Sequence, residues 1–296
     1  MKQSGLFVIL ICFITSSVFA QTRQSMADLK QKISAELQKH KGTYAVAFKD
    51  LSTGEELLIN GYDSFHAAST MKTPVMIEVF KQAAQGKFSL TDSVTIKNEF
   101  RSIVDGSAFM LDSIQDSDHE LYRQLGHKRA IRDLVYEMII VSSNFATNLI
   151  IDLVDAKKVT QTMRDIGAKD IQVLRGVEDT KAFQKNLNNT VTAYDLKIIF
   201  EGIANGKIVD QKSCDAMIKI LLDQKFNDVI PEKLPKEVRV AHKTGSISKV
   251  QHDSGIVFLP DGRKYILVFL SKDWEDEKSN KKMLAGISEM IYLNLK

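Results

Sequence analysis

Ser69-Thr70-Met71-Lys72-Thr73-Pro74-Val75-Met76-Ile77-Glu78-Val79-Phe80 sets a hydroxyl and an amine three residues apart in front of an apolar run. The run from Val75 to Phe80 predicts a helix, with Ser69 at its mouth and Lys72 about one turn on, on the same side. A serine at a helix start also meets unpaired backbone N–H groups, which favour negative charge developing beside it. The pair is not specific alone. Ser246 to Lys249 and Ser279 to Lys282 repeat its spacing, and a helix cap followed by a surface lysine would read the same way.

On the N-terminal side, Ser25 with Asp28 three residues later signals a helix start, followed by Leu29, Ile33 and Leu37 on one face. Thr43 to Leu51, the turn Ser52-Thr53-Gly54-Glu55 and Leu57-Leu58-Ile59 then predict a β-hairpin. On the C-terminal side, helical periodicity prevails from about Thr73 to Asn205, clearest in 129–141, 145–154, 159–166 and 192–203, and strand signals are sparse. Strands return in 238–242, in 255–259 and, after the turn Pro260-Asp261-Gly262-Arg263, in 265–271, and a closing helix runs to Lys296. The expected fold is α+β: an antiparallel sheet built from both chain ends and flanked by helices, with a helical second lobe. The lobes are expected at about 25–72 with 206–296, and at about 73–205, with a cleft between them.

A formal net charge of +3, of which Lys2 supplies one, is too balanced for a nucleic-acid or membrane-surface partner, so a small-molecule substrate is expected. Residues 1–20 read as a secretory signal: a basic start, an apolar run from Leu6 to Thr15, and Val18-Phe19-Ala20 before Gln21. The run is shorter than the ~20 apolar residues of a bilayer crossing, so no stable membrane insertion is expected after cleavage. A mature chain 21–296, periplasmic or secreted and monomeric, follows. Cleavage removes Cys12 and leaves Cys214, which recurs with Met217, Ile218 and Leu221 at helical spacing and reads as a core side chain.

Two further motifs keep Ser69 company. Ser142-Ser143-Asn144 joins two apolar helices and reads either as a cap or as polar groups awaiting a partner. Lys243-Thr244-Gly245-Ser246 follows the strand 238–242, where glycine lets a ligand approach the strand edge, unless it is an ordinary strand end. His252-Asp253-Ser254-Gly255 reads as a polar turn, and Asp112 to Glu120 as a solvated surface loop. Few close His/Asp/Glu spacings imply no metal site, and no cofactor is expected.

In this order the three motifs resemble the serine-x-x-lysine, serine-aspartate-asparagine and lysine-threonine-glycine signature of class A β-lactamases and penicillin-binding proteins. The resemblance covers Ser25 to Lys296 and implies a β-lactamase/transpeptidase-like fold. It implies Ser69 as nucleophile, Lys72 as its activating partner and Ser142 as proton donor to the leaving lactam nitrogen. It further implies Asn144 as a binder of the substrate's side-chain amide, and Lys243 and Thr244 as holders of its carboxylate. The backbone N–H groups of Ser69 and Ser246 would form an oxyanion hole, where one donor is worth roughly 3 kcal/mol. Glu178 would be the base for deacylation, ahead of Asn189-Thr190-Val191-Thr192-Ala193, which looks like the segment closing the family's loop; Asp179 competes for that role. Two departures stand out: Ser143 replaces the aspartate, and no leucine-asparagine pair follows Glu178 after two residues. β-Lactam hydrolysis is the leading expectation. A D-alanyl-D-alanine peptidase or transpeptidase shares the acylation machinery, and a penicillin-binding sensor would acylate without turnover.

Overall fold

Residues 24–296 are described by the computed structural model, and the expected signal segment 1–20 lies outside the described residues. Ser25 accepts the backbone N–H of Asp28 and opens α1 (Met26–Leu37), which buries Leu29, Ile33 and Leu37. The hairpin β1 (Thr43–Asp50) and β2 (Glu56–Ile59) follows, then β3 (Phe65–His66), a 3₁₀ turn over Ala68–Met71 and α2 (Lys72–Ala84). Next come β4 (Ser93–Thr95), β5 (Phe100–Arg101), β6 (Ala108–Phe109) and β7 (Lys128–Ala130). The helices α3 (Ile131–Ile140), α4 (Asn144–Val154), α5 (Ala156–Asp165) and α6 (Thr180–Gln184) lead to β8 (Thr190–Val191). After α7 (Ala193–Ala204) and α8 (Gln211–Leu222), the chain closes with β9 (Arg239–Ile247), β10 (Val250–Phe258), β11 (Lys264–Lys272) and α9 (Glu277–Leu295).

The main sheet has the order β2-β1-β11-β10-β9 and is antiparallel throughout, so the first long strand pairs with the last. Its two faces are both buried, which is why β11 reads as an unbroken apolar run rather than an alternation. Tyr265, Leu267 and Phe269 face the core shared with α1 and α9, while Ile266, Val268 and Leu270 belong to the larger core shared with the helical segment. The helix α7 lies across that second face, against β1, β10 and β11. Cys214 is fully buried there, its thiol donating to the carbonyl of Ile208 at 3.0 Å. No helix among the described residues is long and apolar enough to cross a membrane.

Three readings need correction. The strand expected to end at His242 continues to Ile247, so Lys243 to Ser246 lie within β9. His252 to Gly255 form the buried middle of β10, not a turn. Their polar atoms are satisfied internally: His252 Nε2 donates to the His66 carbonyl (2.9 Å), its Nδ1 accepts the Ser271 N–H (3.2 Å), and burial pushes the ring down to about 4, so it is neutral. Third, the segment Asp112 to Glu120 is not simply solvated surface, because Asp116 is buried within it.

Candidate active site

Ser69 stands on the 3₁₀ turn that feeds α2. The residue before it, Ala68, adopts φ 44°, a conformation a Cβ-bearing residue seldom takes. Neighbouring groups hold it there: the Ala68 N–H donates to His66 Nδ1 (3.0 Å), the Ala67 N–H to the Asn189 carbonyl (2.8 Å), and the Thr70 hydroxyl to the Ala67 carbonyl (2.6 Å). Thr70, Met71 and Lys72 are buried, and Ser69 is left partly exposed on the cleft floor.

Lys72 is fully buried, which rules out the surface-charge reading. Its Nζ donates to the Ser142 carbonyl (2.7 Å), the Ser142 hydroxyl (3.2 Å) and Asn144 Oδ1 (2.9 Å). Burial lowers its affinity for a proton to about 7, against the opposing pull of Asp116 and Glu178. An amine so placed exchanges its proton near neutrality.

The Ser142-Ser143-Asn144 turn divides its work. Ser143 caps α4, its hydroxyl accepting the Ala146 N–H at 3.1 Å. Ser142 takes φ 58°, which points its neighbours apart: Ser143 into the helix, Ser142 into the cleft. Lys243 Nζ also reaches the Ser142 hydroxyl, at 3.1 Å, and donates to the Thr244 carbonyl at 2.8 Å. Lys243 is fully buried, and desolvation with the like charge of Lys72 holds its proton affinity well below that of an ordinary lysine, Asp253 opposing. Two lysines thus converge on one hydroxyl.

Gly245 explains how β9 can pass so close to Ser69. A Cβ there would stand 3.0 Å from the Thr70 nitrogen and 3.1 Å from the Ser69 nitrogen, inside normal contact. Without it the backbone N–H groups of Ser69 and Ser246 can border one small space. Behind this strand edge, His242 and Asp253 are buried together (Nδ1 to Oδ1, 2.8 Å), and Asp253 Oδ2 accepts the Ile230 N–H (3.0 Å), which ties β9 and β10 to the segment between α8 and β9.

Glu178 sits at φ 63° on a loop pinned from both sides. Asn148 on α4 holds Val177 by its N–H (2.6 Å) and its carbonyl (3.0 Å), and only a glycine fits at 176, where a Cβ would lie 2.1 Å from Asn148 Oδ1. Asn189 accepts the N–H groups of Leu174 and Arg175 and donates to the Arg175 carbonyl, so the loop's end clamps its start. Glu178 Oε1 accepts from Asn144 Nδ2 at 2.8 Å, and burial raises its carboxyl above the usual range. Asn144 therefore bridges Lys72 and Glu178. Asp179 has its oxygens engaged elsewhere: it caps α6 and accepts from Ser102 and Ile103, whereas Glu178 is the one of the two that bonds Asn144.

Ser69, Asn144 and Ser246 border two adjoining compartments. One, of about 310 Å³, is polar and includes Ser142, Thr244, Gln115 and Ser117; the other, of about 400 Å³, includes Glu178, Val177, Phe183 and Ile247. Sequence reasoning missed Gln115 to Ser117, whose polar character gives no sign of where the loop docks.

Hydroxyl–lysine turn, interhelical serine–asparagine junction and lysine-bearing strand meet at one cleft beside the antiparallel sheet, and penicillin-recognising serine hydrolases are the class to which this fold leads. The profile of the β-lactamase enzyme family matches residues 28–295, and the chain belongs to that family. Among curated relatives, a β-lactamase of Bacteroides uniformis is 24% identical, covering 97% of each chain. The extended-spectrum β-lactamase PER-1 of Pseudomonas aeruginosa is 23% identical over 95% of this chain and 92% of its own. Among solved structures, a β-lactamase of Sphaerobacter thermophilus superimposes with a TM-score of 0.77 at 26% identity, covering 90% of this chain and 97% of that one. A mutant of PBP-A, solved as an acyl-enzyme complex with penicillin G, gives 0.79 at 25% identity, covering 93% and 98%.

Proposed function

We propose that this protein is a serine β-lactamase that opens the lactam amide through an acyl-enzyme on Ser69 and releases the product with water. The observation that carries the reading is the convergence of two buried lysines, Lys72 and Lys243, on the Ser142 hydroxyl beside Ser69.

A neutral Lys72 keeps two donors for the Ser142 carbonyl and Asn144, and its lone pair takes the Ser69 proton as Oγ attacks the lactam carbonyl. Negative charge on the carbonyl oxygen is met by the N–H groups of Ser69 and Ser246. The C–N bond then breaks, the nitrogen takes the Ser142 proton, and Lys72 returns one to Ser142. In the second half-reaction Glu178 takes a proton from water as its oxygen attacks the ester, the C–O bond to Ser69 breaks, and Glu178 gives that proton up again so that the Ser69 oxygen leaves as the free hydroxyl; one water is consumed overall. Thr244 lines the cleft and would hold the substrate carboxylate, with Lys243 directly behind it. The carboxylate would add a second counter-charge to that of Asp253 beside buried Lys243, and Asn144 would receive the side-chain amide. Export of the enzyme is part of the proposal, supported by the composition of residues 1–20.

Because the base is the neutral form of Lys72, the acylation rate should rise with pH through about 7 and level off above it. Quenched-flow acylation at a series of pH values checks this; a flat profile from pH 5 to 9 would remove Lys72 as the base. Lys243→Ala should raise KM for a penicillin and slow acylation by about 10²-fold, since charge and carboxylate partner go together. Unchanged kinetics would exclude that role. Sustained release of product from a chromogenic cephalosporin distinguishes hydrolase from sensor or transpeptidase, either of which would give one stoichiometric burst.

A further inference from the structure

The buried carboxylate of Asp116 belongs to a loop, yet it ends on the helix that carries Asn144. Its Oδ1 accepts the Asn144 N–H (3.0 Å) and its Oδ2 the Phe145 N–H (2.8 Å), and it is only 3% exposed. Tyr122 donates its phenol O–H to Oδ2 (3.0 Å) and packs its ring, tilted by 37°, against Phe145 with centroids 4.5 Å apart. One residue on, the Ser117 hydroxyl donates to the Val141 carbonyl, so the loop grips the Ser142 turn on both sides. The free N–H groups of a helix start favour an anion, and here a carboxylate from 28 residues upstream supplies it.

We propose that Asp116 is a positioning residue for the site, a carboxylate delivered from the 112–120 loop to the start of α4 in place of the aspartate that Ser143 replaces. This inference rests on the hydrolase reading above. Asp116 touches no substrate; it fixes the main chain of Asn144, and Asn144 in turn joins Lys72 to Glu178. Its charge favours the protonated forms of both Lys72 and Glu178. The groups facing Lys72 are Asp116, Glu178 and Lys243; those facing Asp116 are Tyr122, Asp118, Lys72 and Glu178.

Asp116→Asn keeps the size, removes the charge, and leaves one of the two α4 N–H groups facing an amide nitrogen instead of an acceptor. The rising limb of the acylation rate against pH should move to lower pH by about one unit, because Lys72 loses an anion that holds its proton. A merely structural loss would lower the rate at every pH without moving the limb. The double variant Asp116→Asn/Ser143→Asp, which puts a carboxylate back at the same helix start, should fold and return the limb to the parental position. A folded Asp116→Asn protein with an unmoved limb overturns the proposal, as does a double variant that fails to fold or stays shifted. A parent that no penicillin acylates at any pH overturns the hydrolase reading, and this inference with it.

Discussion

Ser69→Ala is expected to lower β-lactam turnover by at least about 10⁴-fold while leaving the fold intact. The hydroxyl is the atom that forms the ester, and no neighbouring group replaces it: Ser142 is occupied by two lysines, and Thr70 is buried and bonded to the Ala67 carbonyl. The structural cost is small, because Ser69 is partly exposed on a turn whose shape is fixed by the backbone bonds of Ala67 and Ala68; a change within about 1 kcal/mol is expected. Rate measurements with a chromogenic cephalosporin and thermal unfolding of the same preparation separate the two effects. Turnover within tenfold of the parent, in a folded protein, would take Ser69 out of the chemistry.

Glu178→Ala is expected to acylate at close to the parental rate and then stall, the acyl-enzyme decaying about 10²–10⁴-fold more slowly because the water has lost its general base. Burial has raised the affinity of this carboxyl for a proton, which makes its ionised form a better base than an exposed glutamate. It also sets the sign of the pH effect: deacylation needs the ionised form and should fade as the pH falls through its raised value. Removing the carboxylate also strands the amide of Asn144, which costs about 1 kcal/mol and should not unfold the protein. The adduct should accumulate as a mass increase on the intact variant. Steady-state turnover like that of the parent would exclude Glu178, and a parent that itself traps the adduct would favour the peptidase or sensor reading.

The parts of the site that were legible in the sequence are those whose partners lie close along the chain or whose patterns are strong. Ser69 and Lys72 share a turn, Ser142 and Asn144 flank a helix start between two apolar runs, and the apolar strands 43–50 and 264–272 marked both chain ends as one sheet. Illegible were the contacts made across the chain. Asp116 reads as one acid among several in a polar loop, and only its docking on α4 gives it a place. His252 to Gly255 lack the alternation that marks a strand because both faces of β10 are buried and its polar groups find partners on β3, β9 and β11. Glu178 and Asp179, adjacent in sequence, could not be separated until the left-handed turn at Glu178 aimed one at the cleft and the other at the start of α6.

The central claim is a covalent bond between Ser69 and the opened lactam. Acid-quenching the protein within seconds of mixing with penicillin G, followed by proteolysis and mass spectrometry of the peptides, tests it directly. The account predicts the intact mass of the penicillin on the peptide containing Ser69, present at early times and gone once the substrate is consumed. An adduct on any other peptide, or hydrolysis proceeding with no adduct at any time, would contradict it.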